Sequence, residues 1–194
     1  MINYTPYLLI SVIFFNSLKL KKNSDNKINK EFFENDALEV APNLLGKFLV
    51  FYSGKTQKKF KIVEVEVYRG EEDKGCHANK GKTKRNEIMY SSGGYLYVYL
   101  IYGMYWMLNI VTGKRDRPQA ILIRGLEGLN GPGKITKTLG IDRSYYGENL
   151  AVSDRIWIED NKEKVEYITA KRIGIDYAGE PWKDKPWRYI LKCK

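Results

Sequence analysis

The stretch IVEVEVYRGEEDKGCHANKGKTKRNEIMYSSGGYLYVYLIYGMYWMLNIV, which runs from Ile62 to Val111, decides the fold of this chain. An alternating run opens it, a loop rich in glycine and lysine follows, and two more alternating runs close it. Strict alternation of apolar and polar residues is typical of a half-buried β-strand. The stretch therefore predicts a sheet with a long loop between two strands, and that loop holds His77, the only histidine of the chain.

The opening run, from Lys59 to Tyr68, contains two candidate functional carboxylates. Its period of two predicts that Phe60, Ile62, Glu64, Glu66 and Tyr68 lie on one face and that Val63, Val65 and Val67 lie on the other. Acidic residues on an edge strand commonly face only solvent, and this alternative stays open for Glu64 and Glu66. A large apolar residue and an aromatic flank them, which is unusual for a face that meets only water.

The two closing runs predict a β-hairpin with Tyr102 at its tip. A two-residue turn at Gly103 and Met104 would place Tyr99 and Asn109 on opposite faces, whereas a three-residue turn places them on one face. If both side chains belong to one site, we expect the three-residue turn. The ring of Tyr102 is either a wedge that enters the base stack of a partner or a side chain that folds back on the sheet.

The rest of the chain predicts short elements around this sheet. They are a helix from Asn35 to Val40 that stops near Pro42, a strand from Lys47 to Ser53, a buried strand from Ala120 to Arg124, a short helix on which Ile135 and Leu139 share a face, and a strand from Ile156 to Glu159. The segments Arg172 to Glu180 and Pro186 to Tyr189 are interpreted as mainly structural. We therefore expect a single α+β domain with a curved, mainly antiparallel β-sheet and peripheral helices.

The chain is basic, since 33 Lys and Arg stand against 23 Asp and Glu, for a net charge of +10. This balance favours nucleic acid, an anionic membrane or the ribosome as a partner, with a generally basic protein as the alternative. Two groups of residues suit contacts to phosphate: the basic cluster Lys80, Lys82, Lys84 and Arg85, and the start of the short helix at Gly131, Gly133 and Lys134.

The ends of the chain and its cysteines limit the class of protein further. Residues 1–30 are predicted to be a non-core extension, and residues 31–194 to be the domain. The apolar run from Tyr7 to Phe15 is about half as long as a membrane-spanning helix and lacks the flanks of a signal peptide, so no membrane is expected as a partner. An upstream start, or a weak contact of this run with a membrane or a partner, stays open as an alternative. Cys76 and Cys193 lack the partners of a zinc site or of a secreted disulfide framework. We expect no metal and a reducing compartment, the cytoplasm.

Several ordered motifs together resemble one family, the alkylpurine (3-methyladenine) DNA glycosylases of the alkyladenine type. The motifs are V-E-V-E-V-Y (Val63 to Tyr68), G-x-E-D with His77 downstream, K-R-N (Lys84 to Asn86), L-Y-V-Y-L-I-Y-G-M-Y (Leu96 to Tyr105), Asn109, L-I-R-G-L-E (Leu122 to Glu127), G-P-G-K (Gly131 to Lys134) and R-I-G-I-D-Y-A-G-E near the end. The resemblance covers roughly Phe32 to Tyr189. It departs from the family pattern at Val67, where a smaller residue is usual, and at Lys84, where proline is common.

The resemblance implies roles for the residues around the predicted pocket. Tyr68, His77 and Tyr99 match side chains that stack around a base flipped out of the duplex. Asn109 matches the residue that helps to exclude the amino group of normal guanine. Tyr102 matches the aromatic that enters the duplex where the target nucleotide has left, while Arg85 and the start of the short helix suit the DNA backbone.

The resemblance also implies a catalytic pair and a reaction. Glu66 matches the carboxylate that activates the attacking water, and Arg124 matches the arginine that helps to hold both. No lysine stands at a motif position as a Schiff-base nucleophile, so a monofunctional enzyme without a cofactor is expected, which leaves an abasic site uncut. Its partner is expected to be double-stranded DNA with damaged purines, and the enzyme a monomer that acts with the chromosome. A non-catalytic nucleic-acid-binding module is the alternative.

Overall fold

The strand that carries both predicted carboxylates, β2 (Thr56–Arg69), lies within a sheet of nine strands. The computed structural model describes residues 26–53 and 56–192. The other elements in this part of the chain are α1 (Lys30–Phe33), α2 (Ala37–Leu44), β1 (Phe48–Ser53), β3 (Leu96–Ile101), β4 (Tyr105–Thr112), β5 (Gln119–Leu126), β6 (Leu129–Asn130), α3 (Pro132–Leu139), β7 (Ile156–Glu159), β8 (Tyr167–Ala170) and β9 (Arg188–Leu191).

The strands form one antiparallel sheet with helices packed on it. Its main order is β3-β4-β5-β2-β1-β7, with β6 beside β5, β9 beside β2 and β8 beside β9. Helix α2 packs on β2 and β5, and α3 packs on β4 and β5. The buried side chains of Phe33, Leu44, Val65, Ile121 and Ile135 belong to the main hydrophobic core. The prediction of an α+β domain with a mainly antiparallel sheet is confirmed.

The alternation of β2 is interrupted by a β-bulge. The pairing of β2 with β5 shifts register between Ile62 and Glu64 and again between Glu64 and Val65. One extra residue in a strand moves the preceding side chains to the other face. Ile62 is fully buried in the same core as Val65 and Val67, so the prediction that it shares a face with Glu66 and Tyr68 is wrong.

The hairpin β3–β4 has the three-residue turn that a common site requires. Tyr97 pairs with Asn109, and Ile101 pairs with Tyr105, which leaves three residues, 102 to 104, in the turn. Directly opposed residues point to the same face, so Asn109 shares a face with Tyr97. Tyr99 stands two residues after Tyr97 in the same strand and therefore lies on that face too, as predicted. The ring of Tyr102 is 85% exposed and does not fold back on the sheet.

The proline in α2 does not end the helix. Asp36 caps its start, where the carboxylate accepts the Leu38 N–H at 3.0 Å, and the helix continues through Pro42 to Leu44. The predicted stop near Pro42 is therefore wrong. A proline removes one helical hydrogen bond, but Ala41 and Leu44 on either side are fully buried, and this burial keeps the last turn in place. Helix α3 buries Ile135 and Leu139 as predicted.

The described end of the predicted N-terminal extension packs against the sheet. The Ile28 N–H donates to the Ile158 carbonyl at 2.9 Å, and the Ile28 side chain belongs to the core. Residues 1–25, including the apolar run from Tyr7 to Phe15, lie outside the described residues, and their role as an extension stays a prediction. Within the described ranges, no helix is long and apolar enough to cross a membrane.

Candidate active site

A cavity of about 280 Å³ opens beside β2, between the β3–β4 hairpin and the segment 173–177. The sequence-predicted residues that line it are Glu66, Tyr68, His77, Tyr99, Tyr102, Asn109 and Arg124. Three parts of the fold bring them together. Strands β2 and β5 contribute the acid and the arginine, the hairpin contributes Tyr99, Tyr102 and Asn109, and the loop after β2 contributes His77. Small, mostly apolar cavities with a few convergent polar groups are typical ligand sites.

The carboxylate of Glu66 is fully buried and held at both oxygens. The Ile173 N–H donates to Oε1 at 2.9 Å, and the Tyr68 hydroxyl donates to Oε2 at 3.0 Å. Arg124 Nε lies 3.5 Å from Oε1. Burial raises the pKa of Glu66 above its ordinary value of 4.5, the charge of Glu64 adds to the rise, and the three donors oppose it. A carboxylate with a raised pKa is a stronger base.

Arg124 is shared between two carboxylates. Its Nε lies 3.2 Å from Glu64 Oε1 and 3.5 Å from Glu66 Oε1. Glu64 also accepts from Arg188 Nη1 at 2.9 Å. Positive and negative side chains therefore alternate in the order Arg188, Glu64, Arg124 and Glu66 across β9, β2 and β5. The ion pair with Glu64 fixes the position of Arg124 beside Glu66. The solvated alternative for the two glutamates is excluded, since Glu66 is 0% and the Glu64 side chain 13% exposed.

Aromatic rings line the side of the cavity that the hairpin and the loop contribute. The centroids of His77 and Tyr99 are 4.5 Å apart, and those of Tyr97 and Tyr99 are 5.0 Å apart. Nδ1 of His77 is hydrogen-bonded to the Tyr97 hydroxyl at 2.8 Å. Burial and the nearby charge of Arg85 lower the pKa of His77 to about 4, so its imidazole is neutral at neutral pH. Burial raises the pKa of Tyr68 and of Tyr99, so both remain phenols.

Two buried asparagines hold the backbone around these rings. The Asn109 amide nitrogen donates to the carbonyls of Tyr97 at 3.1 Å and Met107 at 3.3 Å, which anchors it to the hairpin. Asn86 donates to the His77 carbonyl at 2.8 Å and to the Gly81 carbonyl at 3.0 Å. The Asn86 side chain therefore fixes the loop that carries His77, a role that the sequence did not indicate.

The residues predicted to contact phosphate lie around the cavity rather than in it. Arg85 is exposed, its guanidinium lies 5.3 Å from the Tyr99 ring centroid, and it donates to the Leu100 carbonyl at 3.3 Å. Gly131 caps α3, and Lys134 is exposed on its first turn. A Cβ at Gly133 would lie 2.8 Å from the Tyr105 ring, so the close approach of the hairpin is itself a reason for glycine there. Their contacts to a DNA backbone stay predictions.

The interpretation of the C-terminal segment 172–180 as mainly structural is wrong. Ile173, Gly174, Ile175 and Tyr177 line the cavity, and Ile173 supplies a donor to Glu66. The backbone N–H of any residue can make that hydrogen bond, so residue type gave no signal. The motif R-I-G-I-D-Y-A-G-E pointed to this segment only through the resemblance. In the described ranges, no cluster of three or more His, Cys, Asp or Glu side chains is arranged to hold a metal ion.

Comparisons with known proteins show the family of this chain. The profile of a family of DNA glycosylases matches residues 31–130 and 127–194, which together cover most of the chain. The family is described as methylpurine-DNA glycosylase (MPG), and the chain belongs to it.

Several relatives are similar to this chain over nearly their whole length. A protein of Natranaerobius thermophilus is 41% identical over 190 residues, which cover 86% of this chain and 96% of the relative. A protein of Clostridium novyi is 42% identical over 194 residues, with 86% and 95% covered. A protein of Methanocella arvoryzae is 39% identical over 183 residues, with 84% and 91% covered. Each carries the name "Putative 3-methyladenine DNA glycosylase".

The raised pKa of Glu66 predicts a stability difference that depends on pH. A carboxyl whose pKa is higher in the folded than in the unfolded protein destabilises the fold once it ionises, and this effect fades as the pH falls towards 4.5. We expect Glu66→Gln to be at least as stable as wild type at neutral pH, with a difference that narrows on acidification. Thermal unfolding of both proteins between neutral pH and pH 4.5 measures this difference in stability.

Glu166→Gln is the matched control, because the Glu166 side chain is 82% exposed. Its Tm is expected to follow that of wild type at each pH. A Glu66→Gln protein that is much less stable than wild type at neutral pH, by a margin independent of pH, would contradict the assignment of a raised pKa.

Proposed function

We propose that the protein hydrolyses the N-glycosidic bond of alkylated purines in double-stranded DNA, of the 3-methyladenine type, and leaves an abasic site. The observation that carries this proposal is a fully buried Glu66, paired with Arg124, at a cavity lined by aromatic rings. Membership of the methylpurine-DNA glycosylase family supports the same substrate class. A deaminated purine is a second class of base that such a cavity can hold.

The target base leaves the duplex before the reaction, because its glycosidic carbon is inaccessible in the stack. Extrusion costs a few kcal/mol and costs least for damaged bases. Tyr102 supports this step, since its ring is 85% exposed at a turn that projects from the sheet. Its insertion into the gap replaces the lost stacking, which is worth about 1–3 kcal/mol per contact.

The cavity suits a cationic, planar base. Faces of Tyr68 and Tyr99 carry partial negative charge and attract cations, and His77 is uncharged at neutral pH because its pKa is about 4. A protonated histidine would repel an alkylated purine. Asn109, which is anchored to the hairpin backbone, limits the room for an exocyclic amino group such as that of guanine.

Glu66 acts as the general base. It takes a proton from a water molecule as the water oxygen bonds to the sugar C1′, while the bond from C1′ to the base nitrogen breaks and its electron pair neutralises the cationic base. The charge of the carboxylate also stabilises the oxocarbenium-like transition state. A positioned base contributes about 10²- to 10⁴-fold in rate. Arg124, beside Glu66 and Glu64, holds the carboxylate and the water in place.

The enzyme is proposed to be monofunctional and to need no cofactor for this reaction. In the part of the chain that the structure describes, no lysine lines the cavity, so no amine is placed to form a Schiff base with the sugar. The proposed partner is double-stranded DNA with damaged purines, which the exposed Arg85 and Lys134 approach at the phosphates. We propose that it acts as a monomer with the chromosome in the cytoplasm, where Cys76 stays a buried thiol.

Base release tests the proposal and separates it from a non-catalytic nucleic-acid-binding module. Wild type is expected to free 3-methyladenine from methylated duplex DNA, and Glu66→Gln to release it about 10²- to 10⁴-fold more slowly while its affinity for the DNA is kept. Free base is measured by liquid chromatography, strand nicking by electrophoresis without heat or alkali, and Glu166→Gln serves as the control.

Salt-sensitive binding is expected of either class of protein and does not separate them. A wild-type protein that binds duplex DNA but releases no base would support the binding module instead. Nicked strands without heat or alkali would contradict the monofunctional assignment.

The role of Tyr102 is tested by base flipping. We expect Tyr102→Ala to reduce the flipped population of a target base by roughly 5- to 150-fold, the equivalent of about 1–3 kcal/mol of lost stacking. The fluorescence of a 2-aminopurine next to the lesion measures this population. Tyr167→Ala is the control, because Tyr167 is also a partly exposed tyrosine, at 41%, but does not line the cavity. Equal flipping by the two variants would refute the role.

A further inference from the structure

A buried ion pair behind the cavity has no part in the proposed chemistry. Arg172 Nη1 donates to Asp73 Oδ2 at 2.6 Å, and Nη2 donates to Oδ1 at 2.9 Å, so the pair is bidentate. Both side chains are 0% exposed, and neither lines the cavity. Buried ion pairs contribute little net stability compared with apolar side chains of similar volume, because both charges lose their hydration. Stability alone is therefore a weak reason for this pair.

Arg172 ties the C-terminal segment to β2 at the catalytic carboxylate. Its Nη1 also donates to the carbonyl of Val67 at 2.9 Å, and Val67 lies between Glu66 and Tyr68 in the chain. Its guanidinium lies 4.9 Å from the ring centroid of Tyr68 and 5.1 Å from that of Trp187. The next residue after Arg172 is Ile173, whose N–H donates to Glu66.

Asp73 ties the same arginine to the loop that carries His77. Its Oδ1 accepts the Gly75 N–H at 2.9 Å, and its Oδ2 accepts the Arg69 N–H at 3.2 Å. Gly75 lines the cavity and stands two residues before His77. A Cβ at Gly75 would lie 3.2 Å from both members of the ion pair. One ion pair therefore joins three backbone segments that line the cavity.

We propose that Arg172 and Asp73 are positioning residues, which hold the Ile173 N–H on the Glu66 carboxylate and the ring of Tyr68 in its place at the cavity. This inference rests on the proposed function of Glu66 as the base. Neither residue touches the substrate. They act through the backbone at Ile173 and Val67, where displacements of about 1 Å at a reacting group can reduce a rate about 10²-fold.

The pH dependence of base release distinguishes this role from a purely structural one. Glu66 faces Glu64 and Tyr68 from β2, Arg124 from β5, Tyr99 from β3 and the Ile173 N–H from the C-terminal segment. Of these, the Ile173 N–H and the Tyr68 hydroxyl depend on the contacts of Arg172, and both donate to the Glu66 carboxylate. A hydrogen bond to the carboxylate favours its charged form, so weakening it raises the pKa of Glu66 further. The acid limb of the rate profile then moves to higher pH.

The test compares Asp73→Asn and Arg172→Lys with wild type. Single-turnover release of 3-methyladenine is measured against pH, and affinity is measured for a duplex with a tetrahydrofuran abasic analogue. We expect both variants to slow release by about 10- to 100-fold at neutral pH, to move the acid limb to higher pH, and to bind the analogue as wild type does. Arg172→Lys keeps both charges of the buried pair, so its fold is expected to persist if that of Asp73→Asn fails.

Asp184→Asn is the matched control, because Asp184 forms an ion pair with Lys171, the neighbour of Arg172, at the surface. The Asp184 side chain is 37% exposed and the Lys171 side chain 67%. It is expected to match wild type in rate and pH profile. Folded Asp73→Asn or Arg172→Lys protein with a wild-type profile would overturn the inference, as would a slower rate with an unmoved acid limb. Absence of release by wild type itself would instead refute the proposed function.

Discussion

The rest of the site depends on the burial of one ionisable carboxylate. Glu66 is removed from solvent, and a buried carboxylate needs partners to compensate for its lost hydration. The partners come from three parts of the chain: the Tyr68 hydroxyl from the same strand, Arg124 from β5 and the Ile173 N–H from the C-terminal segment. The sheet, the bulge and the docking of that segment all serve to bring these donors to one point.

The sheet also determines how the aromatic rings meet the acid. The bulge in β2 buries Ile62 with Val65 and Val67 while Glu66 and Tyr68 face the cavity. In the hairpin, the three-residue turn places Tyr99 and Asn109 on the same face, and it leaves Tyr102 exposed at the tip. The proposed binding of the base, its extrusion from the duplex and the attack by water would therefore take place at neighbouring positions of the β2–β5 and β3–β4 strand pairs.

Much of the cavity could be predicted from the sequence, and the reasons differ from residue to residue. Alternation placed Glu66 with Tyr68, and the requirement of a common site selected the correct hairpin turn for Tyr99 and Asn109. The resemblance supplied His77 and Arg124. What could not be predicted acts through the backbone or through long-range packing. Ile173 contributes an N–H that any residue has, the bulge at Ile62 depends on pairing with β5, and Pro42 is tolerated because tertiary burial outweighs local propensity.

We infer that a carboxylate at position 66 activates water inside the cavity that the aromatic rings line, and rescue by a small acid tests this role most directly. Glu66→Ala removes the carboxylate and leaves space in which formate can bind. Release of 3-methyladenine from duplex DNA is measured with increasing formate, and formamide serves as the neutral control. We expect Glu66→Ala to be inactive, formate to restore release of the base, and formamide to have no effect. Release by Glu66→Ala at the wild-type rate without any added anion would contradict it.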